Sequence, residues 1–331
     1  MQAGQNRPST PYDYIIKENM KMKVNKNITL DDFCSMFRCA PEKLPKVFLE
    51  TIDKTITKYH YAGAEELSAY LLQVLKRIES PGITRSVAEN KKAFEKGWTE
   101  NLEALRSGKK LEDALKPAYF RTTPYLRYNR SLIVSENLNL EYDLFLLAKI
   151  AIFTKYLAEY RHITEIGCGS CQNLLLLARL FPAAKLMGLD WTNASAGIVD
   201  DLSMLLNRDI KGLVFNMLSP EKVPMKKGSA IITIHAMEQL GKNYEALLQF
   251  ILDAEPGIVI HYEPILEFYD EENLFDYVAL MYSRKRNYLT DYFIRLQGLA
   301  AEGRIQILDA WRPNLGGVIH EASIIVWKPL T

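Results

Sequence analysis

The chain has 331 residues, enough for one large domain or two ordinary ones, and its 48% hydrophobic and 24% charged residues are typical of a globular protein. The formal net charge of +1 argues against nucleic acid or an anionic membrane surface as a partner, because both favour a basic excess. No stretch reaches the roughly 20 apolar residues of a membrane helix, and residues 1–11 lack the apolar segment of a secretory signal. Four cysteines are too few for a disulfide framework, so we expect a cytoplasmic protein.

The first third of the sequence predicts helices and no strands. Residues 1–27 are polar and rich in Lys and Asn, which predicts a flexible tail. Apolar residues then recur at helical spacing, as between Leu67 and Ile78, where a Ser-Pro-Gly break follows. We therefore expect an all-helical N-terminal domain over residues 28–118.

Residues 119–331 show a different pattern. From Ile163 onwards, short apolar runs alternate with helical stretches, which predicts parallel strands joined by right-handed crossovers. The last two strand-like runs, residues 304–311 and 321–327, have no room for a helix between them, so we expect them to pair antiparallel. The predicted fold is a Rossmann-like α/β sheet that ends in an antiparallel hairpin.

The strongest local motif is Glu-Ile-Gly-Cys-Gly-Ser-Cys at residues 165–171, at a predicted strand-to-helix junction. Gly167 and Gly169 permit a tight turn with close backbone approach to a ligand, and the following helix N-terminus favours an anionic group. Asp190 ends the next predicted strand, where a carboxylate accepts the hydroxyl hydrogens of a ribose. The pattern favours a nucleotide site over a plain turn with an exposed Asp190.

Two classes of nucleotide ligand fit this layout, dinucleotides and S-adenosylmethionine. Gln172 stands where the dinucleotide fingerprint has Gly or Ala, and a long helical segment and a terminal hairpin flank the sheet. From about Tyr119 to Pro329 the chain resembles the class I S-adenosylmethionine-dependent methyltransferases of the small-molecule type. The motifs that carry the resemblance are residues 165–171, 188–191, 215–217 and 230–240, followed by the hairpin. The resemblance departs at Cys171, where many members of the family have Gly.

The resemblance implies S-adenosylmethionine as the cofactor. In the family, Gly167 and Gly169 would serve its methionine portion, and Asp190 its ribose. Trp191 would lie beside the adenine with Asn216 or Met217 at its edge, and His235 under the sulfonium. The residues assigned to the cofactor are therefore Glu165, Gly167, Gly169, Asp190, Trp191, Asn216, Met217 and His235. Arg127, before the first strand of the sheet, is a further candidate, for the methionine carboxylate, with a plain surface arginine as the alternative.

Methyl transfer is an in-line displacement that also requires a base for the acceptor's proton. His235 and His261, at the ends of two predicted strands, are the candidate bases, with Glu238 or Glu263 orienting an imidazole or holding an ammonium. The alternative is that each histidine only satisfies backbone groups. We expect His60, His162 and His320 to be structural. No metal site is predicted, because no second cysteine pair or nearby histidine cluster completes the Cys168–Cys171 pair.

A basic cluster in the predicted helix after Tyr269 is the candidate grip on a carboxylate or phosphate of the acceptor, through Arg284, Arg286 and Tyr288; a solvated helix face is the alternative. The predicted activity is methyl transfer to a hydroxyl or amine of a small molecule. An aminocarboxypropyl transferase with the same cofactor, or a non-catalytic scaffold, is the alternative. The helical domain would cover the site and select the acceptor, or form a homodimer.

Overall fold

The computed structural model describes residues 25–118, 120 and 122–330. Its strands are β1 (Lys26–Asn27), β2 (Lys58–Tyr61), β3 (Tyr125–Tyr128), β4 (Ser131–Ser135), β5 (His162–Ile166), β6 (Lys185–Asp190), β7 (Ile210–Val214), β8 (Ala230–Ile234), β9 (Ile258–Glu263), β10 (Ile305–Trp311), β11 (Leu315–Gly316) and β12 (Ser323–Pro329). Its α-helices are α1 (Leu30–Phe37), α2 (Lys46–Ile52), α3 (Ala64–Glu79), α4 (Val87–Arg106), α5 (Leu111–Ala114), α6 (Leu140–Leu157), α7 (Gln172–Leu180), α8 (Asn193–Leu206), α9 (Glu245–Asp253), α10 (Leu274–Arg286) and α11 (Tyr292–Ala301).

The main sheet has seven strands in the order β10-β12-β9-β8-β5-β6-β7. Strands β5 to β9 are parallel, whereas β12 pairs antiparallel with both β9 and β10. The predicted parallel sheet with an antiparallel terminal hairpin is therefore confirmed. The central strand β8 is buried along its whole length, as expected for a parallel strand covered on both faces. Neighbouring residues of β8, such as Ile231 and Ile232, belong to two different apolar clusters, because successive side chains point to opposite faces.

The register of the central strands brings the predicted motifs to one edge of the sheet. Ile166, the last residue of β5, pairs with Leu189 of β6 and Thr233 of β8. The residues that follow these strands therefore lie side by side at their carboxyl ends, where open α/β sheets bind ligands.

The prediction of an all-helical N-terminal segment is wrong at β2. This strand pairs antiparallel with β4 in a second sheet, ordered β1-β2-β4-β3-β11, and β11 comes from the C-terminal part of the chain. Buried Tyr59 packs edge-on against Tyr128 of β3, with ring centroids 5.4 Å apart. The four-residue strand carries too little alternation to predict on its own, and its partner lies more than 70 residues later in the chain.

The boundaries predicted at residues 27 and 118 stay a prediction. Most of the predicted tail, residues 1–24, lies outside the described residues, whereas Lys26 and Asn27 form β1. The small sheet draws strands from both sides of residue 118. In the described part of the chain, no helix is both long and apolar enough to cross a membrane. The predicted cytoplasmic location and homodimer stay predictions.

Helix α4 connects the N-terminal segment to the main sheet. Ser86 begins it with a capping box to Glu89, and one side of the helix packs against α8. The Glu95 carboxylate of α4 accepts hydrogen bonds from the first backbone amides of α8, at Asn193 (3.0 Å) and Ala194 (2.9 Å). These bonds satisfy amides that have no partner within α8, and they hold α4 against the end of the sheet where the predicted motifs meet.

Candidate active site

The loop after β5 requires glycine at both predicted positions. Gly167 and Gly169 have φ values of +78° and +51°, which L-residues with side chains rarely adopt. A Cβ atom on Gly167 would lie 2.3 Å from that of Ala236, and one on Gly169 would lie 2.9 Å from the ring of Trp98. The loop is thus held between the turn after β8 and helix α4.

Cys171 occupies the left-handed N-cap of α7 with φ +62°, a conformation that favours Gly. Its Sγ lies 3.8 Å from that of Cys168, and both side chains are buried. Burial raises the pKa of the Cys171 thiol. A buried, protonated thiol is a poor nucleophile, so the loop provides backbone groups rather than thiol chemistry.

Asp190 lies at the end of β6 beside the glycine loop. Its Oδ2 accepts a hydrogen bond from the backbone amide of Gly169 (3.0 Å), and its Oδ1 accepts from the amide and hydroxyl of Thr192 (3.0 and 2.7 Å). The residue is 7% exposed, and burial raises the pKa of the carboxyl while these hydrogen bonds oppose the shift. Oδ2 keeps one lone pair for a further donor.

A cleft opens above this edge of the sheet, at the carboxyl ends of its parallel strands. Its lining contains the predicted cofactor residues Gly167, Gly169, Asp190, Trp191, Asn216, Met217 and His235. The structure therefore brings together seven of the residues that the sequence pattern assigned to the cofactor. Asn216 is held in a turn by accepting a hydrogen bond from the Leu218 amide at 3.1 Å.

Helix α4 forms the opposite wall of the cleft through Val87, Asn90, Phe94 and Trp98. The ring of Phe94 lies 6.1 Å from that of Trp191, and Asn90 Nδ2 donates to Gln239 Oε1 (3.4 Å) across the opening. These residues were missed as site residues. The apolar face of the helix was visible in the sequence, but its periodicity does not tell which surface it covers.

Glu165 lies behind the glycine loop and is fully buried. Its Oε1 accepts a hydrogen bond from Asn173 Nδ2 (2.6 Å), and burial raises the pKa of the carboxyl to about 8. The Lys149 ammonium donates to Asn173 Oδ1 (2.8 Å), and burial lowers the pKa of this lysine to about 7. Glu165 is not among the described residues that line the cleft, so its contact with a cofactor stays a prediction.

His235 lines the cleft directly after β8 and adopts a positive φ of +49°. Its Nδ1 lies 3.6 Å from Glu238 Oε2, and Glu238 also accepts a hydrogen bond from Gln239 Nε2 (2.9 Å). Burial raises the pKa of Glu238, but His320 and His235 outweigh this effect and hold the pKa well below its usual range. A carboxylate beside Nδ1 orients the imidazole and leaves Nε2 for a proton from an acceptor.

Glu263 is fully buried beneath this turn. Both of its carboxylate oxygens lie 3.0 Å from the backbone amide of Ala236, and burial raises its pKa to about 7 against the influence of His235. Glu263 therefore holds the backbone that carries His235 rather than facing an acceptor.

The prediction of His261 as a base needs correction. Strand β9 continues to Glu263, so His261 lies within it and is fully buried. Its Nε2 accepts from Trp327 Nε1 (3.0 Å), which leaves the proton on Nδ1 to donate to Thr233 Oγ1 (2.8 Å). Tyr292 Oη lies 2.9 Å from the same Nε2. Burial lowers the pKa to about 3, so His261 is a neutral core residue.

Arg127 is also placed away from the cleft. It is fully buried, with Nη1 2.5 Å from Asp276 Oδ1 and Nε 3.3 Å from Glu321 Oε2. Arg312 joins the same two carboxylates at 2.6 and 2.8 Å. This buried ion network takes up the Arg127 guanidinium, so the arginine cannot serve a methionine carboxylate in this conformation.

The residues predicted to bind an anionic group of the acceptor do not form a site at the cleft. Arg284 is exposed and pairs with Glu271, whereas Arg286 donates to the carbonyl oxygen of Ile83 (2.8 Å). Neither arginine lines the cleft in the described structure. Tyr288 is buried and packs on His320, with ring centroids 5.4 Å apart. Helix α10 ends at Arg286, and its basic last turn faces solvent and a loop instead of a ligand site.

No protein-family model matches the sequence, and no curated protein matches it. Solved structures that are similar to parts of this chain include an O-methyltransferase from neocarzinostatin biosynthesis in complex with S-adenosylmethionine (18% identity, TM-score 0.42, 58% of each chain). Another is the Streptomyces coelicolor geranyl diphosphate C-methyltransferase with S-adenosyl-L-homocysteine (13% identity, TM-score 0.40, 59% of this chain and 87% of that one).

A third is the Thermus thermophilus branched-chain polyamine synthase in complex with 5'-methylthioadenosine (11% identity, TM-score 0.40, 57% of this chain and 56% of that one). The chain thus spans little more than half the length of the neocarzinostatin enzyme and the polyamine synthase.

Proposed function

We propose that the protein binds S-adenosylmethionine in this cleft and transfers its methyl group to a hydroxyl or amine of a small-molecule acceptor. The observation that carries the proposal is the Asp190 carboxylate, bound to the Gly169 amide at the end of the neighbouring strand and open to the cleft. A carboxylate in this place suits the hydroxyls of a ribose.

The walls of the cleft fit the rest of the cofactor. The N-terminus of α7 and the backbone amides of the glycine loop would favour its methionine carboxylate. The ribose would lie at Asp190, and the adenine beside the ring of Trp191. His235 would lie at the sulfonium end, where the methyl group leaves.

The reaction is a direct displacement. The acceptor oxygen or nitrogen forms a bond to the methyl carbon while the carbon–sulfur bond breaks, and its electron pair stays on sulfur to give S-adenosylhomocysteine. The acceptor's proton passes to Nε2 of His235, which Glu238 orients through Nδ1. Helix α4 covers the cleft and excludes water from this exchange.

The test is a calorimetric titration of the full chain with S-adenosylmethionine, S-adenosylhomocysteine and NAD, followed by mass spectrometry of the turnover products. We expect micromolar binding of the first two ligands and release of S-adenosylhomocysteine. Binding of NAD instead would overturn the cofactor assignment. Release of methylthioadenosine would replace methyl transfer with transfer of the aminocarboxypropyl group.

A further inference from the structure

Three potential metal ligands meet beside the cleft, two from the turn after β8 and one from a distant part of the chain. They are His235 after β8, Glu238 in the turn Met237–Leu240, and His320 in the segment between β11 and β12. Glu238 Oε2 lies 3.6 Å from His235 Nδ1 and 3.5 Å from His320 Nδ1. All three ligand atoms lie within 4.8 Å of one another.

These separations are close to those of an ion's ligand shell. Two atoms about 2.1 Å from an ion at a tetrahedral angle lie about 3.4 Å apart. The two distances from Glu238 already match this value, whereas the histidine nitrogens, within 4.8 Å of each other, would approach by up to about 1.4 Å on binding an ion.

The Glu238 carboxylate supplies an independent observation. The residue is only 7% exposed, and its Oε2 is buried without a hydrogen-bond partner. A buried charged oxygen without a hydrogen bond is costly unless a cation faces it. The oxygen points at both histidines, so the centre of the cluster is where a cation would satisfy it.

The neighbouring residues hold the ligands in place. Gln239 Nε2 donates to the other carboxylate oxygen of Glu238 (2.9 Å), and Tyr282 Oη lies 3.4 Å from Nε2 of His320. Outer contacts of this kind orient metal ligands and fix the histidine tautomer. The positive φ of His235 also indicates a backbone that the surrounding structure holds in a strained conformation.

We propose that His235, Glu238 and His320 bind a divalent transition-metal ion such as Zn²⁺ at the wall of the cleft. Two imidazoles and one carboxylate suit Zn²⁺ or Fe²⁺, whereas Mg²⁺ and Ca²⁺ prefer oxygen ligands. Three protein ligands leave at least one position open, as in catalytic rather than structural zinc sites.

The consequence for turnover rests on the proposed function, but binding of the ion does not. Because His235 lines the cleft, an ion bound to its Nδ1 would fix the imidazole at the cleft wall and so change how it meets an acceptor. His235 is then a ligand through Nδ1, and it serves as a proton acceptor only in the ion-free protein.

The experiment is equilibrium dialysis of the chelator-treated full chain against micromolar Zn²⁺, with metal content measured by mass spectrometry and Mg²⁺ as a parallel arm. We expect one Zn²⁺ per chain and no comparable binding of Mg²⁺. Glu238→Gln and His320→Asn should each weaken Zn²⁺ binding by more than about tenfold. His162→Ala, which removes a histidine at the start of β5, should bind Zn²⁺ like the wild type.

Failure of the wild type to bind Zn²⁺ would overturn the site, and so would unchanged affinity in both ligand variants. The cluster would then be a buried carboxylate that contacts two histidines and holds no ion. Titration of the wild type and the same variants with S-adenosylhomocysteine tests the proposed nucleotide binding separately from metal binding. Retained nucleotide binding with lost Zn²⁺ binding also shows that the variants are folded. If the wild type does not bind S-adenosylhomocysteine, the proposed function is wrong, but the metal site is unaffected.

Discussion

The Asp190 carboxylate accepts a hydrogen bond from the Gly169 amide at 3.0 Å, which joins the end of β6 to the loop after β5. The two elements proposed to bind the ribose and the methionine portion are therefore arranged before any ligand arrives. Preorganisation of this kind lowers the ordering cost of binding. Helix α4 adds a third element, since Trp98 packs directly on Gly169.

The first prediction concerns Gly169→Ala. The new methyl group would meet the Trp98 ring at 2.9 Å, and a left-handed alanine costs about 1–2 kcal/mol. We expect a lower free energy of unfolding and weaker S-adenosylhomocysteine binding, measured by denaturant titration and calorimetry.

Gly97→Ala is the matched control, because it lies next to Trp98 in α4 and its added methyl group meets no atom within 4 Å. Alanine is the better helix former, so this variant should be as stable as the wild type or more stable by up to about 1 kcal/mol. Equal effects of the two substitutions would show that contact with Trp98 does not matter.

A second prediction tests how α4 is held over the cleft. Glu95→Ala removes the carboxylate that caps α8 through the amides of Asn193 and Ala194. We expect a loss of about 1 kcal/mol in stability and a weaker affinity for S-adenosylhomocysteine, because the covering helix is less firmly docked. Glu100→Ala, on an exposed position of the same helix, should change neither quantity. An unaltered affinity in Glu95→Ala would show that the docking of α4 does not influence ligand binding.

The sequence predicted the main sheet well, because most of its strands are apolar runs of five to seven residues separated by helices. The same register that aligns Ile166 with Leu189 places the glycine loop beside Asp190, so their meeting at one edge of the sheet could be predicted, whereas their binding of a cofactor stays a prediction. The small sheet could not, since its strands are short and pair across long stretches of chain.

The errors at the site have a common cause. Whether a polar residue near a strand end faces the cleft or the core depends on where the strand stops, and β9 continues to Glu263, two residues beyond His261. That extension buries His261. Arg127 was misplaced because its carboxylate partners, Asp276 and Glu321, lie more than a hundred residues away in the chain. His320 reaches Glu238 in the same long-range way.

A third prediction follows from the burial of His261. Its pKa is lowered to about 3, so its stabilising contribution is present above the ordinary histidine pKa and is lost as pH falls through the window between about 6.5 and 3. Between pH 7 and 5 we expect the wild type to lose about 2 kcal/mol more than His261→Gln, which does not titrate. Denaturant unfolding at both pH values measures this difference, and parallel losses would contradict a neutral buried histidine.

The fourth prediction concerns the proposed base. In protein freed of metal ions, His235→Gln should lower kcat by about 10²- to 10⁴-fold once an acceptor is known, because the acceptor's proton loses its receiver. Affinity for S-adenosylhomocysteine should change little. His162→Ala, at the start of β5 and far from the carboxyl ends of the strands, should keep full turnover. Full turnover in His235→Gln would show that His235 does not accept the proton of the acceptor.

The affinity for S-adenosylhomocysteine of Asp190→Asn, beside the wild type and Asp200→Asn, tests the central claim most directly. Asp200 lies exposed in α8, so its variant should bind like the wild type. Asp190→Asn removes a charged acceptor, worth about 1.5–3 kcal/mol, and should bind about ten- to a hundredfold more weakly while remaining folded. Equal affinities for all three proteins would contradict a nucleotide ribose bound at Asp190.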